Sequence, residues 1–242
     1  MKLTQTDFLF PANLRVARHA SRFAPDLTEP DRVPGLLERR EAETLYVLAR
    51  RAVRLGDVVE IGSYRGRSTA FLARALADSG SSRRLVAIDP HLEGTEADFR
   101  ANVAAQSTAS LVDVHVAYSH DVAPDVVGPI GVLWIDGDHS YEAVRQDFED
   151  WFPKLSPGGW VAFHDTVDQW YGPTRLAGEL LRERRDLAEI GVVGTLMYAR
   201  KSAPSLVNRV TAAATVPRVE LVRSLRRRSF GRGARNVADG DT

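Results

Sequence analysis

Along the first two hundred residues the spacing of apolar positions changes period repeatedly, and each change marks an element. Leu36, Leu37, Leu45, Leu48, Ala52 and Leu55 recur at mostly helical spacing, and Gly56 stands where such a helix would stop. DVVEI (57–61) then reads as a buried strand and RSTAFLARALA (67–77) as the helix that follows it. RLVAID (84–89), LVDVHVAY (111–118), IGVLWID (130–136) and GGWVAF (158–163) read as further strands. TEADFRANVAAQ (95–106) and SYEAVRQDFEDWFPKL (140–155) carry helical patterns, the second with Tyr141, Val144, Phe148, Trp151 and Leu155 on one face. PTRLAGELLRERR (173–185) predicts a last helix, and LAEIGVV and TLMYAR a strand pair turning near Gly194.

Strands separated by helices predict an α/β fold: a doubly wound, Rossmann-like sheet, mostly parallel, with an antiparallel C-terminal edge strand and helices on both faces. Residues 36–200 carry this pattern. Residues 1–35 read as an N-terminal extension, in which Phe8, Leu9 and Phe10 are placed to close over a site or to meet a second subunit.

Composition narrows the classes. The 242 residues include no cysteine, which excludes disulfides, thiolate metal sites and cysteine nucleophiles together. No apolar run is long enough to span a membrane, and MKLTQTDFLF lacks the apolar core of a secretory signal, so a cytoplasmic protein is expected. The zero net charge is unevenly spread. Residues 201–242 hold nine Lys and Arg against three acids and read as a basic, partly disordered tail, most simply solvated, otherwise suited to an anionic surface.

In a doubly wound sheet, ligands sit at the carboxyl ends of the strands. After the first strand comes Glu60-Ile61-Gly62-Ser63-Tyr64-Arg65-Gly66-Arg67-Ser68. Its two glycines are four residues apart, so neither G-x-G-x-x-G nor a Walker loop is present, and a pyrophosphate cradle is disfavoured. Asp89 ends the second strand, where an acid can accept hydrogen bonds from a ribose diol. Ser119, after the third strand, either reaches a ligand or starts a helix. Asp136, Asp138 and His139 follow the fourth strand, and His164 and Asp165 the fifth. Carboxylates and imidazoles converging there suit a divalent metal or a metal-free acid–base pair. His139 is the candidate general base, with His164 behind it, and Trp170 and Tyr171 are candidate walls of an acceptor pocket.

VVEIGSYRGRST, VAIDP and IDGDHSYEAVRQDFEDWFPKLSPGGWVAFHD together resemble the class I S-adenosylmethionine-dependent methyltransferases, nearest the bacterial small-molecule and sugar O-methyltransferases of the macrocin O-methyltransferase type. The resemblance implies a cofactor site of Glu60, Gly62, Ser63, Tyr64, Gly66 and Ser68, with Asp89 at the ribose, Ser119 near the adenine and Asp136 alongside. It further implies Mg²⁺ or Mn²⁺ held by Asp136, His164 and Asp165. His164 stands where metal-dependent relatives carry an acid, a change that favours Mn²⁺ over Mg²⁺. The implied activity is O-methylation of a small hydroxylated acceptor, such as a sugar, with His139, Asp136 and His164 as catalytic residues. Homo-oligomers fit this resemblance and nucleic-acid partners do not. A nicotinamide-dependent oxidoreductase, a non-catalytic cofactor-binding scaffold and a metal-dependent hydrolase are the competing readings.

Overall fold

The structure, a computed structural model, describes residues 4–23, 25–167 and 171–226. Seven strands form one sheet: β1 (Asp57–Ile61), β2 (Leu85–Ile88), β3 (Val112–His115), β4 (Ile130–Ile135), β5 (Leu155–Phe163), β6 (Leu187–Val193) and β7 (Leu196–Lys201). Their order is β3-β2-β1-β4-β5-β7-β6. The first five pair in parallel, and β7 runs antiparallel between β5 and β6. Chain direction across the sheet reverses between β1 and β4, which is the switch point where such folds bind ligands.

Alternation along the central strands sorts side chains to the two faces. Val58, Val132, Trp134 and Trp160 pack with α1 (Pro11–Phe23), α3 (Arg39–Ala52) and α4 (Arg67–Asp78) on one face. Val59, Ile61, Leu133 and Ile135 pack on the other with α7 (Tyr141–Trp151), α8 (Tyr171–Glu183) and α9 (Leu206–Ala213). Both faces are covered, so all six residues of β4 are buried. The short α2 (Thr28–Asp31), α5 (Glu96–Ala104) and α6 (Ser119–Val122) complete the helical set.

Register then places the candidate residues side by side. Ile61 pairs with both Ile88 and Ile135, and Ile135 with Phe163. The ladder continues one residue further: Gly62 N donates to Ile88 O at 2.9 Å, Asp136 N to Ile61 O at 2.8 Å, and His164 N to Ile135 O at 3.1 Å. Gly62, Asp89, Asp136 and His164 therefore line one edge of the sheet.

The structure moves several expected boundaries. The helix expected over 140–155 ends at Trp151, because Pro153 cannot donate to a continuing helix; a single 3-10 turn leads into β5. The N-terminal segment is built into the fold. Asn13 Nδ2 donates to Val192 O at 2.6 Å, Tyr198 Oη to Asn13 Oδ1 at 2.9 Å, and Phe10 is wholly buried. Residues 201–226, expected as part of a basic tail, instead end β7 and then form α9 and a second helical stretch over 216–226. Ala212, Val219 and Val222 join the main core, so apolar spacing overrides local charge here. The GRGAR segment beyond them lies outside the described residues.

Candidate active site

The turn after β1 has to be glycine at its first position. Gly62 has φ +86°, and a Cβ there would stand 2.1 Å from the Asp136 backbone oxygen. The close approach of β1 and β4 at their exits thus depends on a missing side chain. Gly66, φ +88°, caps the start of α4 against Phe99. Asp89 locks this turn to β2. One carboxylate oxygen accepts from the N–H groups of Ser63 at 2.9 Å and Tyr64 at 2.8 Å; the other accepts from His91 N at 2.7 Å. A carboxylate has about four lone-pair sites, so three backbone donors leave capacity for a ligand hydroxyl.

Glu60 lies beneath the turn, fully buried. Its Oε2 accepts from Thr69 Oγ1 at 2.6 Å and more weakly from Ser63 Oγ, while Oε1 has no partner among the described residues. Burial pushes this carboxyl up to about 7, against the hydroxyls of Ser68 and Thr69 and with help from Asp136 and Asp89.

At the other end of the row, Asp136, His139 and Asp165 each offer a ligand atom within 4.8 Å of the others. His139 Nε2 lies 2.9 Å from Asp165 Oδ2. That hydrogen bond raises the imidazole above its ordinary value, burial opposing it. His139 is not the helix cap; Ser140 Oγ accepts from Ala143 N in that role. The loop is pinned from outside by Gly172, where a Cβ would meet the His139 backbone oxygen at 2.3 Å.

His164 lies against both acids. Its Nδ1 lies 3.2 Å from Asp136 and 3.4 Å from Asp165, and its Nε2 lies 3.2 Å from Glu41 Oε2. Burial disfavours the charged ring, but the Asp136 charge and three carboxylate contacts outweigh it and hold His164 well above its usual range. Among the described residues the ligand atoms of Asp136, His139 and Asp165 lie within reach of one another, and His164 touches Asp136 and Asp165 from behind. Burial alone would raise Asp165, yet the His139 and His164 hydrogen bonds hold it well below the carboxylate range; Asp136 is raised, its desolvation outweighing the His164 contact.

Glu41 is the functional residue that sequence reasoning missed. It is 1% exposed, and besides His164 it accepts from Thr195 N at 2.7 Å, Thr195 Oγ1 at 3.0 Å and Glu38 N at 2.8 Å. Burial raises its carboxyl, but these donors and the His164 charge bring it below its ordinary value. The sequence signal was slight: two glutamates three apart at a helix start, a spacing usually read as capping.

All these groups face a cavity of about 1080 Å³, lined by Gly62, Ser63, Tyr64, Ser68, Asp89, Ser119, Asp136, His139, His164 and Asp165. Glu60 and Gly66 shape the turn from behind and do not line it, and neither do Phe8, Leu9 and Phe10. Tyr171 is 67% exposed and beside Arg175 rather than in the cavity, because it opens α8 on its solvent side. Trp170 lies outside the described residues. Three of the four non-glycine residues with positive φ among the described residues, Tyr64, His91 and Asp165, also lie on the cavity wall. Such strain persists where surrounding contacts enforce it, commonly at functional sites.

The chemistry of the lining tests which ligands fit. Acids dominate the wall, and the arginines near the turn are engaged: Arg67 with Asp31 and the Leu37 and Val33 carbonyls, Arg65 with Asp98. This donor set suits a cationic nucleoside such as S-adenosylmethionine and does not suit a pyrophosphate. The Asp136–His139–Asp165 set, with one nitrogen and two carboxylates, fits Mn²⁺, Fe²⁺ or Zn²⁺ better than Mg²⁺.

Comparison with known proteins agrees with this geometry. Residues 59–166 match the family model described as "Methyltransferase domain". The O-methyltransferase TomG from Streptomyces achromogenes, solved with S-adenosylmethionine, superposes with a TM-score of 0.57 at 20% identity, covering 83% of this chain and all of that one. An O-methyltransferase from Bacillus cereus, solved with S-adenosylhomocysteine, gives 0.58 at 17% identity over 81% of this chain and 100% of its own. An uncharacterized protein of Acanthamoeba polyphaga mimivirus is 29% identical over 122 residues, 48% of this chain and 53% of its own length. A Sinorhizobium fredii protein is also 29% identical, but the match covers only 14% of its length.

Proposed function

We propose that the protein, whose residues 59–166 match a methyltransferase-domain family model, transfers a methyl group from S-adenosylmethionine to a hydroxyl of a small polyhydroxylated acceptor, a sugar being the expected type. The observation that carries the reading is the row of strand-end residues on one cavity: Asp89 locking the glycine turn, and Asp136, His139 and Asp165 clustered beyond it. Bound there, the cofactor supplies a methyl group on a positively charged sulfur.

The chain's part is to orient, to enclose and to move a proton. Asp89 and the N–H groups of Ser63 and Tyr64 fix the turn against which the nucleoside rests. The acceptor hydroxyl lies toward His139 and is aligned with the methyl carbon, since alignment lowers the barrier of an in-line displacement. As its oxygen bonds to that carbon, the carbon–sulfur bond breaks with its electron pair left on sulfur, and His139 takes the hydroxyl proton. The Asp165 carboxylate, 2.9 Å from His139 Nε2, stabilises the imidazolium that results. His164, braced by Glu41, keeps Asp136 and Asp165 in place. A divalent cation on Asp136, His139 and Asp165 is the second reading, favoured by the proximity of their ligand atoms; it would lower the acceptor hydroxyl pKa, and His139 would then be a ligand rather than the base.

Incubation with S-adenosylmethionine and a panel of sugars and phenols, with and without Mn²⁺, tests this by mass spectrometry. The expected result is S-adenosylhomocysteine formed together with one singly methylated acceptor, and His139→Ala slowing turnover about 10²–10⁴-fold. Turnover unaffected by that substitution would remove His139 from the mechanism.

A further inference from the structure

The two helical stretches that close the described chain bury one side and leave an apolar outer side in water. Ala212 on α9 and Val219 and Val222 on residues 216–226 pack into the main core, and Thr215 is buried at the turn between them. Both stretches turn toward the same core, so both outer sides point away from it. Leu206, Val207 and Val210 stand on the outer side of α9, 64%, 73% and 68% exposed. Ala213, Pro217 and Leu221 are exposed as well. Positions 206, 207, 210 and 213 recur at helical spacing, as do 217 and 221. Exposed apolar residues are ordinary singly, but a row of them marks a surface that meets something else.

Cations flank this row. Residues 206–226 carry Arg209, Arg218, Arg223 and Arg226 against Glu220 alone. Arg223 lies 3.8 Å from Glu220, and Arg226 meets Glu38. Arg209 and Arg218 are exposed and make no ion pair among the described residues. The sequence beyond, residues 227–242, adds four arginines but only Phe230 and Val237 as large apolar side chains, too few to cover the row. A second copy docked here about a two-fold axis would set the basic flank against its own image. A nucleic acid would use the arginines and leave the valines in water. An apolar row flanked by arginines suits a membrane interface, with the aliphatic side chains at the acyl boundary and the guanidinium groups at the phosphates.

We propose that the outer side of residues 206–226 is a peripheral docking surface for an anionic lipid bilayer. Leu206, Val207, Val210 and Leu221 enter the acyl boundary, while Arg209 and Arg218 pair with lipid phosphates. Among the described residues no helix is long and apolar enough to cross a membrane, so the contact is interfacial and reversible. The docked stretch ends at Arg226, which lines the cavity, so the cavity opens beside the lipid surface. The docking residues lie outside the 59–166 match and take no part in the proposed methyl transfer.

The test is co-sedimentation of the full chain with vesicles of phosphatidylcholine alone and of an equal mixture with phosphatidylserine, at low and at high salt. The wild-type chain is expected to bind the mixed vesicles at least about tenfold more tightly than the neutral ones, and to lose most of that preference as salt rises. Val207→Asp combined with Val210→Asp is expected to weaken binding to the mixed vesicles at least about tenfold, the scale of two valines kept out of the acyl boundary. Arg209→Glu combined with Arg218→Glu is expected to reduce the preference for the anionic vesicles. No binding to either vesicle, equal binding to both, or anionic binding that the valine pair leaves unchanged would overturn the assignment. A wild-type dimer in sedimentation velocity that the valine pair dissociates would place a second copy on this face and overturn it too. The comparison of the two vesicles needs no variant, so a folding failure of either pair leaves the test standing.

Discussion

The glycine turn and the histidine–carboxylate cluster stand on the same sheet edge but are held in place by opposite means. The turn is a local object. Asp89 reaches Ser63 and Tyr64 across 26 and 25 residues of chain, within one strand–helix–strand unit, using backbone donors that exist whatever the neighbouring side chains are. The cluster is assembled from afar. His164 is braced by Glu41 across 123 residues, and Glu41 is in turn fixed by Thr195, 154 residues away. A cradle built on backbone groups is specified by a short motif; a cluster built on buried ionised side chains depends on every element that encloses it.

Substitutions on the two sides should fail differently, and the largest effect belongs to the turn. Gly62→Ala brings a methyl group against the Asp136 backbone at a conformation that alanine resists, and neither side can move without breaking the β1–β4 ladder. A stability loss of about 4 kcal/mol or more is expected by denaturant unfolding, with cofactor binding lost as well. A folded, binding-competent variant would show that the approach of the two strands is not obligatory.

Next comes the cluster. Glu41→Ala leaves His164 Nε2 and the Thr195 N–H unpartnered in a buried site, and a loss of about 3–5 kcal/mol is expected. Adding His164→Phe to the same chain should recover part of that loss, since the orphaned Nε2 is gone. No recovery would mean that Glu41 matters through Thr195 and Glu38 alone.

The pH dependence sharpens the contrast. Glu60 has a folded-state value of about 7, above that of an unfolded glutamate. Between about pH 4.5 and 7 the native state therefore holds a proton that the unfolded chain has released. Stability falls as pH rises through that window, and the loss is complete above it. Asp165 has the opposite sign: its value is lowered, so its contribution is present at neutral pH and lost in acid. Glu60→Gln should flatten the slope between pH 4.5 and 7 and gain up to about 3 kcal/mol above it. Unfolding curves across that range, superposable for variant and wild type, would contradict the burial argument. The smallest effect is expected at Tyr171→Ala: exposed outside the cavity, it should change stability and cofactor affinity by no more than about 0.5 kcal/mol.

The same contrast explains what could be read from the sequence. The doubly wound, mostly parallel sheet follows from alternating apolar runs and helices, and the turn from two glycines and an acid at fixed spacing. Register then carries Asp136, His164 and Asp165 to the edge, so their meeting was legible too. What stands behind His164 was not: Glu41, 123 residues earlier in a helix, carries no mark of that partner. His139 and His164 were both visible as candidates and both line the cavity; only packing shows that His164 also reaches Glu41. At the two ends Phe10, Ala212, Val219 and Val222 find the core singly, without a long periodic run, so the sequence leaves the part those segments play open.

The central claim is that the cavity along this edge is a cofactor site organised by Asp89. Calorimetric titration of S-adenosylhomocysteine into the wild-type chain and into Asp89→Ala tests it most directly. The account predicts micromolar binding to the wild type, weakened about 100-fold or more when the carboxylate that holds both the turn and the ribose is removed. Folded wild-type protein that binds no S-adenosylhomocysteine, or an Asp89→Ala variant that binds it as tightly, would contradict it.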